Sequence, residues 1–203
     1  MERLICVLVG YVFGLIQTGY IYGKKNGVDL RKKGSGNAGT TNALRTMGWK
    51  AGAVTLLGDC FKCVAAVVVV HLIYGKTHTD MMPLLSMYAG MGAVLGHNYP
   101  FYLKFKGGKG IAATAGLIIS TTNIWIVLIC LATFIVIVAA TRYVSLGSMT
   151  VVTIYLISVI VCGQHGGFGV ENVSYLHEMY GVAAFLMILA FWRHRANIKR
   201  LLS

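Results

Sequence analysis

Three stretches of this sequence gather residues able to hold an anion. The first, DLRKKGSGNAGTTNALRTMG at 29–48, places Gly34, Ser35, Gly36, Asn37, Gly39, Thr40, Thr41 and Asn42 within nine positions. Glycine-rich backbone can turn several N–H groups toward one anion, and small hydroxyls and amides add donors. Arg31, Lys32 and Lys33 flank this cluster, and Arg45 sits in a helix predicted to follow it. A flexible polar loop would carry the same glycines. The density of donors beside four cations favours an anion site. The second stretch is GHNYPFYLKFKGGKG at 96–110, which holds Lys106, Gly107, Gly108 and Lys109. It is no Walker loop, because position 103 is Leu and Lys109 is followed by Gly110. Lysines alone would suit a loop on the cytoplasmic side of a bilayer. The Gly-Gly pair asks for more, such as backbone that approaches a ligand closely, with Lys109 opening a helix whose dipole favours an anion. The third stretch is RHRANIKRLLS at 193–203. His194 and Asn197 are three apart, hence on one helical face. Arg193, Arg195, Lys199 and Arg200 surround them. Taken alone, this third stretch reads as a basic tail resting on anionic lipid.

The missing residues narrow the chemistry. The six acids are Glu2, Asp29, Asp59, Asp80, Glu171 and Glu178. A two-metal phosphotransferase needs several converging carboxylates. None of the six histidines has Asp five positions on, so the His-x4-Asp pair of common soluble acyltransferases is absent. Asp59 and Lys62, three apart in an apolar segment, are expected to form an intramembrane ion pair. Cys60 and Cys63, with Cys162 and His165, have the spacing of metal ligands. All five cysteines lie in apolar segments, where the small hydrophobe is the commoner role, and no metal is expected.

These stretches must be positioned by membrane helices. Hydrophobic residues make up 57% of the 203-residue chain and charged residues 12%, and mean hydropathy is +0.71. Soluble domains carry about 25% charge. With 18 Lys+Arg against 6 Asp+Glu the chain is strongly basic, yet no base-reading motif accompanies the charge, so nucleic acid is excluded as a partner. Hydropathy predicts spans near 4–22, 51–74, 83–100, 110–121, 123–141, 144–163 and 179–193, in one domain covering 1–203. The first run is too long for a signal peptide's apolar region and lacks a cleavage pattern, so it is expected to be a retained span. The fourth is short, twelve residues covering about 18 Å of a ~30 Å hydrocarbon core. The positive-inside rule decides whether it crosses. If it does, with the N-terminus outside, 15 of the 18 cations are inside, Arg3 and Lys76 are outside, and Lys62 is within a span. If it does not, Arg142 and the tail move outside and the split falls to 10 against 7. The expectation is therefore an all-α polytopic bundle with seven transmembrane helices, N-out and C-in. All three anion-binding stretches then share the cytoplasmic face.

Together the stretches resemble a known family, the bacterial integral-membrane acyl-phosphate:glycerol-3-phosphate acyltransferases (PlsY). GSGNAGTTNALRTMG is similar to its first motif, GHNYPFYLKFKGGKGIAAT to its second and RHRANIKRLL to its third; RYVSLGS at 142–148 and DCFK at 59–62 match further stretches. The resemblance implies seven helices in the cell inner membrane with the motifs at the cytoplasmic face. It implies transfer of a fatty acyl group from acyl phosphate to the 1-hydroxyl of glycerol 3-phosphate, the first acylation step of phospholipid synthesis. No metal, cofactor or acyl-CoA is used, and a monomer is expected. By resemblance, Ser35 and the backbone from Gly36 through Asn37, Gly39, Thr40 and Thr41 hold the acyl-phosphate phosphate, with Lys109 alongside. Arg45, Ser148, His194 and Asn197 hold glycerol 3-phosphate, and Lys106, Gly107 and Gly108 belong to the second motif. Family members usually continue with Gly-x-Glu after the third motif, for which Ser203 leaves no counterpart, and Cys63 stands where glycine is common.

An acyl phosphate has a good leaving group, so orientation and charge stabilisation matter more than a strong nucleophile. Direct attack by the glycerol hydroxyl is expected, with His194 or a substrate phosphate oxygen taking the proton. A Ser35 acyl-enzyme fits less well, since no base lies near it in sequence. The main competing reading is a membrane transporter for phosphate or organophosphates, which a short broken span would suit. A lipid-binding scaffold is the other. Donors crowded at one face argue against the first.

Overall fold

The computed structural model describes residues 1–202, and every regular element in them is helical. The helices are α1 (Glu2–Gly14), α2 (Thr18–Lys25), α3 (Thr40–Met47), α4 (Trp49–Tyr74), α5 (Met82–Asn98), α6 (Ile111–Thr121), α7 (Ile124–Thr141), α8 (Val144–Gln164) and α9 (Val173–Leu202). Five segments are long and apolar enough to cross a bilayer: Glu2–Lys25 counted across its break, then α4, α7, α8 and α9. α7 gives the physical reason for the membrane reading. Its window averages a hydropathy of 2.8, yet only Ile126 and Cys130 are buried on it. A helix apolar on every face and still exposed needs lipid as its solvent.

The expected first span, 4–22, is not one helix. The chain breaks at Leu15–Gln17 between α1 and α2. Inside a bilayer, carbonyls freed by such a break need partners. Three side chains supply them. Gln17 Nε2 donates to Gly14 O (3.1 Å) and reaches across to α5 at His97 O (3.1 Å), Tyr102 Oη donates to Leu15 O (2.6 Å), and Lys62 Nζ donates to Ile16 O (2.7 Å). The last predicted span, 179–193, is also too short. α9 runs through it from Val173 to Leu202 and carries the cationic tail as its final turns.

α1 and α5 pack backbone to backbone. A Cβ on Gly10 would overlap Ala89, one on Gly14 would overlap Ala93 and Gly96, and one on Gly92 would overlap Val7 and Tyr11. Gly10 and Gly14, like Gly92 and Gly96, are four apart, the small-xxx-small pattern of close membrane-helix crossings. α4 and α6 use the same device. Gly116 lies against Cys60 O and the Cys63 Cβ, so the glycine missing at position 63 is compensated on the facing helix.

α6 is eleven residues, about 16 Å long. It begins after Gly110, a left-handed cap at φ +82°, so Lys109 precedes the helix instead of opening it. At its far end, Ser120, Thr121 and Thr122 meet His71 of α4, Met82 and Pro83 of α5 and Cys162 of α8 around a cavity of about 250 Å³. Arg3 and Glu178 (Nη2–Oε1 2.7 Å), with Tyr88 (3.1 Å), tie α1, α5 and α9.

Candidate active site

The first stretch is shaped by one side chain. Asn42 Nδ2 donates to Leu30 O and Lys33 O (both 3.0 Å), and its Oδ1 accepts from Ser35 N (2.9 Å). Gly34 turns at φ +58° beside that amide, where a Cβ would overlap Asn42 Oδ1. Gly36 turns at φ +71°, and its N–H is used by Lys33 O (3.1 Å). Asn37 Oδ1 accepts from Gly39 N (3.0 Å). Neither Gly36 nor Gly39 therefore has its amide free. The amides of Asn37, Ala38, Thr40 and Thr41 have no backbone acceptor in this turn, and the last two open α3. Ser35 is exposed on the turn, as is Arg45 on α3. Asp29 pairs with Arg31 (3.0 Å), which holds its carboxyl below the usual carboxylate range.

The second stretch doubles back onto the end of α5. Gly107 N donates to Asn98 O (3.2 Å) and Gly108 N to His97 O (3.1 Å). A Cβ on Gly107 would overlap His97 O and Pro100; one on Gly108 would overlap the His97 imidazole. The structure thus gives the Gly-Gly pair a different reason from the one expected. It admits the backbone to α5, and its amides are spent there. Just beyond, Lys109 Nζ hydrogen-bonds Asn197 Oδ1 of α9.

The third stretch closes the site. Arg193 Nη2 donates to Gly108 O (2.6 Å) and Gly107 O (3.1 Å), and its guanidinium lies 5.1 Å from the Tyr99 ring centroid. His194 is buried, with Nδ1 against Ala190 O (2.8 Å). Nδ1 therefore carries the proton of the neutral ring, and Nε2 is left as the basic nitrogen. Arg195 points away, over Trp192 (4.7 Å). Ser148 is buried on α8, its hydroxyl donating to Val144 O (2.8 Å); no hydrogen bond among the described residues links it to the three stretches.

Electrostatically this end of the molecule is built for anions. A cavity of about 310 Å³ is lined by Asp29, Arg31, Lys32, Gly36, Phe105, Lys106, Gly107 and Arg193. Its one carboxylate is already paired with Arg31. Burial, then Arg200, Arg193 and Arg45, lower the Lys109 ammonium to about 8. A cation crowded by cations and half out of water gains most from a bound anion.

The family model described as "Glycerol-3-phosphate acyltransferase" matches residues 4–203. The chain belongs to the glycerol-3-phosphate acyltransferase family. A Clostridioides difficile (strain 630) relative of that name is 42% identical over 201 residues, covering 98% of this chain and 92% of the relative. One from Bacillus subtilis (strain 168) is 37% identical over 200 residues, covering 97% and 92%. Among solved structures, the glycerol 3-phosphate form of PlsY, an integral membrane glycerol 3-phosphate acyltransferase, superposes with a TM-score of 0.82 at 31% identity, covering all of this chain and 92% of that one. The lysophosphatidic acid form gives 0.81 at 30%.

In this acyltransferase, Lys109 and Asn197 meet directly, and Gly107 and Gly108 meet α9 through Arg193. Gly36, Lys106 and Gly107 share one cavity, and Arg45 acts on Lys109 through its charge. Sequence reasoning treated Arg193 as one of the surrounding cations and gave His97 no role. Arg193 could have been found from its spacing, four residues before Asn197 on a helix. His97 offered only its place in the second motif. Asn42, counted among the donors, is consumed in holding the loop.

Proposed function

We propose that this protein transfers a fatty acyl group from acyl phosphate to the 1-hydroxyl of glycerol 3-phosphate, releasing lysophosphatidic acid and phosphate. The observation that carries the reading is the junction of Lys109, Asn197 and Arg193 beside a cation-lined cavity, at one end of a membrane bundle. The free amides of the Asn37–Thr41 turn, the Ser35 hydroxyl and Lys109 hold the phosphate of the acyl donor. Arg45, Ser148, His194 and Asn197 hold glycerol 3-phosphate. The glycerol oxygen attacks the acyl carbon, the C–O bond to phosphate breaks, and phosphate leaves with the electron pair. Lys109 offsets the charge that grows on the leaving oxygen. The hydroxyl proton passes to His194 Nε2 or to a substrate phosphate oxygen.

The protein lies in the cell inner membrane as a monomer with seven crossings, N-terminus outside and C-terminus inside. The meeting of α6's far end with the far ends of α4, α5 and α8 supports α6 as a crossing despite its length. The alkyl tail of the donor stays in the bilayer while its head reaches the cytoplasmic site. A transporter reading finds little support, because the cavity at the opposite end has no lysine or arginine in its lining.

The test is to incubate purified protein with glycerol 3-phosphate and either acyl phosphate or acyl-CoA. Lysophosphatidic acid is expected from acyl phosphate alone; comparable turnover with acyl-CoA would contradict the donor assignment.

A further inference from the structure

Behind the site lies a buried cluster: Asp59, Lys62 and His97 are 1%, 5% and 3% exposed. Lys62 Nζ spends its three N–H bonds on Asp59 Oδ1 (2.8 Å), His97 Nδ1 (2.9 Å) and Ile16 O (2.7 Å). One ammonium thus joins α4, the end of α5 and the break between α1 and α2. Packing alone gives no reason for two of those contacts, the ion pair and the histidine. Desolvating an ion pair is costly, and apolar side chains of similar volume generally hold helices together as well. The contacts on the other side of His97 supply the reason for keeping it. With Nδ1 accepting from Lys62, the proton sits on Nε2, the ring atom nearest the space a Gly108 Cβ would fill. The His97 carbonyl also accepts from Gly108 N and from Gln17. Gly108 in turn offers its carbonyl to Arg193, and Lys109 follows it in the chain.

We propose that Asp59, Lys62 and His97 are positioning residues for acyl transfer, which set the place of Lys109 by fixing the Gly107–Gly108 backbone against the end of α5. The proposal rests on the reading of Lys109 as a phosphate-binding group. The ion pair gives His97 one tautomer and one ring orientation; the ring edge and carbonyl give Gly108 one position; Lys109 Nζ then meets Asn197 from a fixed backbone. A misplacement of about 1 Å at a catalytic group can cost about 10²-fold in rate, which is what such a chain of contacts prevents.

A double-mutant cycle tests this. His97→Asn keeps an acceptor for Lys62 and removes the ring edge that abuts Gly108. It should lower kcat/KM about tenfold in the otherwise unaltered protein, but less than about twofold in a Lys109→Ala background, because a group that acts through Lys109 has nothing left to position. Asp59→Asn combined with Lys62→Met should show the same dependence. Gel filtration and thermal unfolding in detergent accompany each variant. Equal fold-losses in both backgrounds would overturn the positioning role, as would unchanged activity. Loss of the folded state in both sets of variants would assign the cluster to stability alone and overturn it too. Full activity in Lys109→Ala by itself would instead remove the reading of Lys109, and the proposal with it.

Discussion

Lys109 concentrates the electrostatics of the site in one nitrogen. It is half-buried, hydrogen-bonded to Asn197 and crowded by Arg45, Arg193 and Arg200. Lys109→Ala should lower kcat/KM by about 10²-fold, near 2.7 kcal/mol, the usual effect of removing one charge-stabilising donor. Lys104 is exposed on the left-handed turn that precedes the glycines, and Lys104→Ala should change the rate less than about threefold. The pH dependence follows from the same crowding. Lys109 loses its proton as pH rises through about 8, and only the charged form can neutralise a phosphate, the role proposed for it. The kcat/KM for acyl phosphate, which reports the free enzyme, should therefore fall on the alkaline side of about 8. In Lys109→Arg the guanidinium stays charged, so whatever activity remains should lose that limb. Steady-state kinetics from pH 6 to 10 in buffers of constant ionic strength check both; a limb that persists in the arginine variant would place the titration elsewhere. At this scale the sequence was informative about chemistry and less so about cause. The glycines, hydroxyls and lysines around Ser35 and Lys109 point to an anion site, whereas the tail that carries Asn197 reads alone as a lipid-surface segment and joined them only through the resemblance. The reason for Gly107 and Gly108 was hidden because their neighbours, His97 and Arg193, come from two other helices.

At the scale of elements, hydropathy located most of the helices because most apolar runs are bounded by charged residues, glycine or a short polar turn such as Thr121–Asn123. It failed at residues 15–17, where the run from Leu4 to Tyr22 holds glycines but no charged residue to mark a boundary. The break is stabilised by Lys62 and Tyr102, distant partners that no local window includes, along with Gln17, whose amide was the one local sign. Likewise α9 outruns its apolar stretch, since helix geometry persists while the solvent changes from lipid to water. The α1–α5 contact is set by glycines, and the consequence is measurable. Gly92→Val would drive a side chain into Val7 O and the Tyr11 amide, backbone atoms that cannot rotate away. It should abolish the monodisperse folded species or lower its melting temperature markedly, since overpacking costs about 1–3 kcal/mol even where neighbours yield. Gly181 has open space at its Cβ position, and Gly181→Ala should be neutral or slightly stabilising. Equal behaviour of the two variants in a thermal-shift series would mean that close crossing of α1 and α5 is not what holds the bundle.

The whole molecule is polarised, and the polarity predicts its orientation. Lys106, Lys109, Arg193 and the cations of the 29–48 stretch share one end, while Arg3 and Glu178 tie the other. Membranes retain Lys- and Arg-rich loops on the cytoplasmic side, and here 15 of 18 cations would be there if α6 crosses. The same end carries the proposed anion site, so on that reading one set of cations serves both orientation and substrate binding. Single cysteines at positions 106, 195 and 76, placed in a cysteine-free variant, distinguish the alternatives. With an impermeant thiol reagent on intact cells from which any outer barrier has been removed, position 76 should label, and positions 106 and 195 should label only after lysis. Position 195 is the discriminating one. If α6 is re-entrant, everything after it inverts, and 195 labels from outside while 106 stays protected. That outcome would also separate Lys109 from Asn197 by the thickness of the membrane, contrary to their hydrogen bond, so the labelling pattern tests the site and the topology together.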